Sequence, residues 1–437
     1  MSDVKTGINL RSIVNAISST VDLVNDNVTR HHQRVAYISH MIGQEMHIGD
    51  VRGYDLIVAA AMHDIGTLSD QEVTCFLHNV IDENVEEHAE IGYLLLKDFK
   101  PLSKVANIIK YHHHQWNGGR GHVAHNEIVP FEGHIVHLAD TIETLIDKEK
   151  HVLTQKHNLI EIVRSQSGSM FAPDAVDAFL RAFENDYSWL ALDDINFRTL
   201  IDKEFGEERQ ELSLDELSQF SKIISYIIDF RSPYTASHSS GVAAVAYALG
   251  RLEGFGDEDC KLLKIAGYFH DLGKIAIQPE ILEKEGKLSE AEYAVMRSHS
   301  YHTFRILSEI KGFEKVTEWA SFHHERLDGS GYPFGLTGKS ISKGAKILAV
   351  ADVFSALIEE RPYRTGMSVT EAQTVMEELA HANKLDKSLV DTLISNITDI
   401  YKIRKISQAK ALEEYVKINK SDSKRTNGIV LSGEKSI

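Results

Sequence analysis

Two ordered series of histidines and aspartates constrain this chain more than any other feature. His31 is followed 32 residues later by His63-Asp64, and His238 is followed 32 residues later by His270-Asp271. Beyond each His-Asp comes a lone histidine, His88 or His299, and then a histidine pair, His113-His114 or His323-His324. Each series closes on an aspartate in a helical stretch, Asp140 in HLADTIETLI and Asp352 in AVADVFSALI. The same features in the same order and at similar spacing make the chain a tandem duplication of one module.

Apolar residues recur at three- and four-residue intervals in VAYISHMIGQEM, IGYLLLKDF, GVAAVAYALGRLEG and CKLLKIAGYFHDLG, as a buried helix face requires. No run of alternating strand residues is apparent, and seven prolines in 437 residues leave long helices uninterrupted. The expected fold is all-α, with two tandem helical modules at 1–200 and 206–405. The charged, glycine-punctuated stretch 198–216 joins them. The polar segment 417–437 has little periodicity and reads as a disordered tail.

The composition narrows the partners. A formal net charge of −17 argues against a nucleic-acid polymer, which asks for a basic face. A small anion stays open, because a bound metal inverts the local field. Cys75 and Cys260 build no disulfide framework, and the N-terminal residues carry no apolar signal core. The longest apolar stretch, Leu56 to Met62, is far short of the roughly 20 residues that span a bilayer. These features lead us to expect a cytoplasmic protein.

Burying five histidines and two carboxylates together leaves many polar groups in need of partners. Metal ligation satisfies them at once, since neutral imidazoles with carboxylates suit borderline first-row ions. In the second series, His238 and Asp352 on one side and His299, His323 and His324 on the other give room for two metals. Two ions about 3.5–4 Å apart are a known device for phosphoester hydrolysis.

HDLGK (His270 to Lys274), HHERLDGSGYP (His323 to Pro333) and ADVFSALIEERPYR together resemble the HD-GYP family of cyclic-dinucleotide phosphodiesterases, within the HD superfamily of helical metal-dependent phosphohydrolases. The likeness covers about residues 215–402, and the first half resembles a divergent HD module. It implies that His238, His270, Asp271, His299, His323, His324 and Asp352 are metal ligands, with Asp271 as the bridge. It also implies that Lys274 meets the scissile phosphate, and that Arg361 and Arg364 hold the substrate phosphates, a task that suits the planar guanidinium. Tyr332 stacks on a base or packs against a partner; both readings stay open. Glu325, Arg326 and Asp328 are expected to orient ligands or brace the glycine-rich loop. Some members add a glutamate one turn before the first histidine and hold a third metal. Here that position is Tyr234, so two ions are expected, iron or manganese foremost.

The halves are unequal. Thr67 stands where the second half has Lys274, His122-Val123 where it has Tyr332-Pro333, and Glu149 and Val152 where it has Arg361 and Arg364. The first module keeps candidate ligands in His31, His63, Asp64, His88, His113, His114 and Asp140 but loses the phosphate grip. It is expected to bind metal without turnover; a degenerate scaffold and hydrolysis of another phosphoester are the competing readings. The activity implied for the second module is opening of 3′3′-cyclic GMP-AMP, cyclic di-GMP, or both to the linear 5′-phosphorylated dinucleotide. Its competitor is a non-catalytic receptor or adaptor that engages a partner through the GYP loop. A homodimer and a diguanylate-cyclase-type protein are the protein partners considered.

Overall fold

The computed structural model describes residues 5–21, 30–67, 85–194, 199–200, 211–229, 237–282, 284, 286–359 and 366–419. The chain opens with β1 (Lys5–Asn9) and α1 (Leu10–Val21). The first module follows, with α2 (His31–Glu45), α3 (Asp50–Ala61), α4 (Val85–Leu96), α5 (Ser103–Lys110), the ribbon β2 (Val123–Ala124) and β3 (Glu127–Ile128), α6 (Phe131–Leu145), α7 (Val152–Ser165), α8 (Pro173–Ala182) and α9 (Asp186–Asp194). The second module begins at β4 (Glu211–Ser213) and α10 (Leu214–Asp229), then α11 (His238–Leu252), α12 (Asp257–Phe269) and the short α13 (Pro279–Leu282). It continues through α14 (Glu290–Leu307), α15 (Glu314–Ser321), α16 (Lys343–Leu357), α17 (Val369–His381), α18 (Lys387–Ser395) and α19 (Ile397–Asn419). No described helix is long and apolar enough to cross a membrane.

Local chemistry starts these helices where the sequence says it should. Ser289 and Ser368 cap α14 and α17, and Glu292 and Glu371 reach back to the cap amides to complete capping boxes. In α11 the small residues of SSGVAAVAYALG are buried on nearly every face, because the helix packs between α12, α16 and α19. Helix α2 has the same place in the first module, against α3, α6 and α8. Each module is thus a central helix flanked by the helix that leads into its His-Asp pair and the helix that carries its closing aspartate.

The glycine after each His-Asp pair explains part of the motif. A Cβ on Gly66 would lie 2.1 Å from the His88 carbonyl oxygen, and one on Gly273 would lie 1.9 Å from the His299 carbonyl oxygen. Only glycine lets the turn close onto the helix bearing the lone histidine.

The expected all-α class holds, with two short two-stranded ribbons added among the described residues. β1 pairs antiparallel with β4, Lys5 opposite Ser213 and Asn9 opposite Glu211. Strands of five and three residues are too short to show as alternation in the sequence. This pairing draws the N-terminus across the junction. Helix α1 touches α2 and α3 of the first module, and also α14 and the 3₁₀ turn Leu272–Ala276 of the second. Phe99 against Phe220, with ring centroids 5.2 Å apart, and Gln219 donating to the Asp98 carbonyl at 3.1 Å add to the contact between modules. Part of the expected linker, Tyr234, Arg361, Arg364 and the tail beyond Asn419 lie outside the described residues.

Candidate functional site

A neutral imidazole whose Nδ1 donates to a main-chain carbonyl carries no hydrogen on Nε2, so that nitrogen keeps its lone pair. In the second module three rings are fixed this way. Nδ1 of His270 donates to Gly267 O at 2.8 Å, that of His299 to Met296 O at 2.7 Å and that of His323 to Ala320 O at 2.6 Å. His238 instead turns its Nδ1 to Glu359 Oε2 at 3.0 Å. The Nε2 atoms then converge. Those of His299 and His323 are 3.5 Å apart, and that of His270 is buried without a hydrogen bond. The Ser300 hydroxyl, 3.2 Å from His299 Nε2, is a donor in reach of one of them. Facing lone pairs repel unless a cation lies between them, so the donor set fits metal ions.

The donors fall into overlapping sets, each with its atoms within 4.8 Å of one another: His238, His270 and Asp352; His270, Asp271 and His323; His299, His323 and His324. All the sequence-derived ligand candidates of this module are therefore gathered at one place. Asp271 spans it, with Oδ2 3.1 Å from His270 Nε2 and Oδ1 3.5 Å from His299 Nε2. Lys274 Nζ lies 2.5 Å from Asp271 Oδ2. Asp352 Oδ1 is 3.3 Å from His238 Nε2.

The electrostatics agree with a cation site. Burial pushes His299 down to about 4 and His323 to about 3, and lowers His324 as well, leaving neutral imidazoles near pH 7. Burial would also lower His238, but Glu359 and Asp352 outweigh it and bring that ring up to about 10. A point that holds a proton so firmly favours positive charge of any kind. Burial would raise Asp271, yet His270 and Lys274 keep it well below the usual carboxylate range.

The GYP loop is folded back over these donors. Glu325 is buried and accepts from the amides of Phe334 at 2.7 Å and Leu336 at 2.8 Å, so it braces the loop. Asp328 accepts from the Ser330 amide at 2.9 Å, and Gly329 takes the left-handed conformation at φ 80°. Arg326 Nη1 donates to Glu325 O at 3.4 Å. The Tyr332 ring lies 4.8 Å from His324 and 6.3 Å from His299, centroid to centroid.

The first module repeats the arrangement. His63 Nδ1 donates to Ala60 O at 2.8 Å, and His31 Nδ1 meets Glu143 Oε2 at 2.5 Å. His31 Nε2 and His63 Nε2 are 3.3 Å apart, and Asp140 Oδ1 is 3.4 Å from His31 Nε2. Asp64 spans this cluster, 3.1 Å from His63 and 3.3 Å from His88.

One expected residue moves. The pair that meets His88 is His112-His113, with His112 Nε2 at 3.1 Å and His113 Nε2 at 3.0 Å. Its ring centroids lie 3.9 Å apart, against 4.0 Å for His323-His324. His114 sits outside, its ring against His134 and its carbonyl accepting from His134 Nδ1 at 3.1 Å. The cause is helix termination. His112 and His323 each come two residues after the last helical residue, Lys110 or Ser321. The signal was present, since His88 to His112 and His299 to His323 both span 24 residues.

Other groups were missed altogether. Glu143 and Glu359 hold the first histidines, and the Thr303 hydroxyl accepts from Gly273 N at 2.9 Å while donating to His270 O at 3.1 Å. Thr67 occupies the turn of Lys274 with its hydroxyl buried and unbonded, and Asp64 Oδ2 faces His32 Nε2 at 3.6 Å instead of a lysine.

Comparison with known proteins matches both modules to the HD domain, at residues 28–145 and 222–389. The chain is 30% identical to 3′3′-cGAMP-specific phosphodiesterase 1 of Vibrio cholerae, over 92% of this chain and 95% of that protein. It is 36% identical to a cyclic di-GMP phosphodiesterase of Pseudomonas aeruginosa over 38% of this chain and 41% of the relative. The solved structure of a cyclic GMP-AMP specific phosphodiesterase of V. cholerae has the same fold, with a TM-score of 0.62 at 22% identity, covering 90% of this chain and 98% of that one. The paired clusters, the GYP loop and the near full-length likeness lead to one conclusion: the chain belongs to the HD-GYP family of the HD superfamily, in the form with two HD domains in tandem.

Proposed function

We propose that the second module is a metal-dependent phosphodiesterase that opens 3′3′-cyclic GMP-AMP, cyclic di-GMP, or both. The observation that carries this reading is the convergence of fixed Nε2 lone pairs on Asp271 and Asp352 beside Lys274. The relatives named for these two substrates support the substrate class. In the reaction water adds to phosphorus, the P–O3′ bond breaks, and the 3′ oxygen takes up a proton, leaving a linear 5′-phosphorylated dinucleotide.

Two ions, iron or manganese, would be held by His238, His270 and Asp352 on one side and His299, His323 and His324 on the other, with Asp271 between. Bound there, they supply Lewis-acid polarisation of the phosphate oxygens. Lys274 neutralises charge that grows on the phosphate in the transition state. Arg361 and Arg364 grip the phosphates, and the Tyr332 ring walls the site. The first module binds metal without turnover, since Thr67, Glu149 and Val152 stand in place of the phosphate-handling residues.

Product analysis after incubating iron- or manganese-loaded protein with each cyclic dinucleotide tests the reading. Linear 5′-phosphorylated product, lost on chelation, is the expected result. Tight binding with no product would instead identify a receptor.

A further inference from the structure

The metals, Lys274 and the arginines of RPYR all address phosphate, which leaves the bases unread. Beside the cluster, among the described residues, stands a cation that phosphate chemistry has not used. Arg297 lies on α14, two residues before His299, and its guanidinium carbon is 4.9 Å from the centroid of the Tyr332 ring. The same ring abuts His324 and His299. Arg297 is exposed and forms no ion pair or hydrogen bond with any described residue, in a chain of net charge −17 that has carboxylates to spare.

Its surroundings are aromatic. Tyr293 and Tyr301 sit one turn to either side on the same helix, 50% and 46% exposed. The Tyr332 ring lies 4.8 Å from His324, so this aromatic shelf runs up to the candidate ligands. Exposed π faces interleaved with a guanidinium are the chemistry that binds nucleobases. The corresponding position in the first module, two before His88, is Glu86.

We propose that Arg297, laid against Tyr332, reads the base next to the scissile phosphate and selects guanine over adenine. A guanidinium fork matches the paired O6 and N7 acceptors of guanine, whereas adenine offers a donor beside its N7. Tyr332 backs the guanidinium, whose carbon is 4.9 Å from the ring centroid, and N–H groups remain for the ligand. The inference rests on the cyclic-dinucleotide reading and deepens it, assigning the substrate preference to a residue that lies outside the HDLGK, GYP and RPYR motifs.

The test compares wild type, Arg297→Ala and Arg297→Lys, with binding measured by calorimetry and turnover by product analysis. The ligands are cyclic di-GMP, 3′3′-cyclic GMP-AMP, cyclic di-AMP and the base-free diester bis(p-nitrophenyl) phosphate. Arg297→Ala is expected to lose the preference for guanine-containing ligands over cyclic di-AMP by on the order of 10- to 100-fold, and Arg297→Lys, whose ammonium still donates to O6 and N7, to lose less. Arg297→Lys keeps the charge and so separates fork geometry from simple attraction. Retention of the preference in Arg297→Ala, or an equal loss on all four ligands, would overturn the proposal. A wild type that binds but does not cleave would sink the catalytic reading alone, because the binding ratios still decide on Arg297.

Discussion

At the aspartate of the His-Asp pair the two modules diverge. Asp64 is surrounded by imidazoles, with His63 at 3.1 Å, His88 at 3.3 Å and His32 at 3.6 Å. Asp271 has His270 and His299 but also the Lys274 ammonium. Around them the scaffold is the same: central helix, His-Asp turn, and a glycine pressed against the lone-histidine helix. Ligand positions follow from helix packing and persist wherever the packing persists. Lys274, proposed to meet the phosphate, sits in a turn where the first module carries Thr67 on the same scaffold, so that position can differ freely.

The largest test of that asymmetry is a pair of variants. Asp271→Asn removes the charge between the two donor sets, and kcat for cyclic-dinucleotide hydrolysis is expected to fall by several kcal/mol of barrier, on the order of 10³-fold. Asp64→Asn should lower activity no more than about threefold in the same product assay. Equal losses would mean that both modules act together. Next in size, Lys274→Ala should cost about 10²- to 10³-fold in kcat, as removal of a transition-state donor does. Thr67→Lys in an Asp271→Asn background should restore nothing, because Glu149 and Val152 still replace the arginines. Regained turnover there would show that one lysine separates the modules.

A smaller effect tests the histidine register. His112→Ala should lower bound metal by about one equivalent in elemental analysis, with little change in hydrolysis, whereas His114→Ala should leave the metal content as it is. The reverse result would return the ligand pair to His113-His114.

The gathering of His238, His270, Asp271, His299, His323, His324 and Asp352 was legible in the sequence because each sits at a helix start, a helix end or a packed face, and such positions repeat with the fold. Glu143 and Glu359 were not legible. They do the same work three and seven residues past the closing aspartate, one on the helix and one beyond it, so no repeat marks them. In a run of three histidines only the end of α5 decides which two face inward. Helix α1 reads as an ordinary amphipathic helix, and its crossing to the second module depends on a strand pair too short to announce itself. Arg297 looks like any exposed helix arginine until Tyr332 is seen beneath it.

The smallest prediction concerns how each module secures its orienting carboxylate. In the first, Glu143 lies on the helix of Asp140 and is held by Arg34 Nη1 at 3.3 Å. In the second, Glu359 lies past the end of α16 and depends on α19, where Gln408 donates to it at 3.0 Å and Arg404 donates to the nearby Ser355 carbonyl at 3.1 Å. Helix α19 is in turn clasped to α10 by Glu414, whose Oε2 accepts from Lys222 Nζ and the Tyr226 hydroxyl, each at 2.6 Å. Burial would raise the Glu414 carboxyl, but Lys222 and Tyr226 together hold it below its ordinary value. A folded-state value below the unfolded one stabilises the fold fully above the unfolded carboxylate range, near pH 4.3, and the contribution is lost as pH falls through the folded value. The clasp is part-exposed, so its worth is under about 1 kcal/mol. Urea unfolding of wild type and Glu414→Gln between pH 7 and pH 3 should therefore converge at the acid end, with the variant less stable only at the upper end. A gap that widens toward pH 3 would show that the clasp does not hold through the charged carboxylate, and that α19 is secured by its apolar packing on α11.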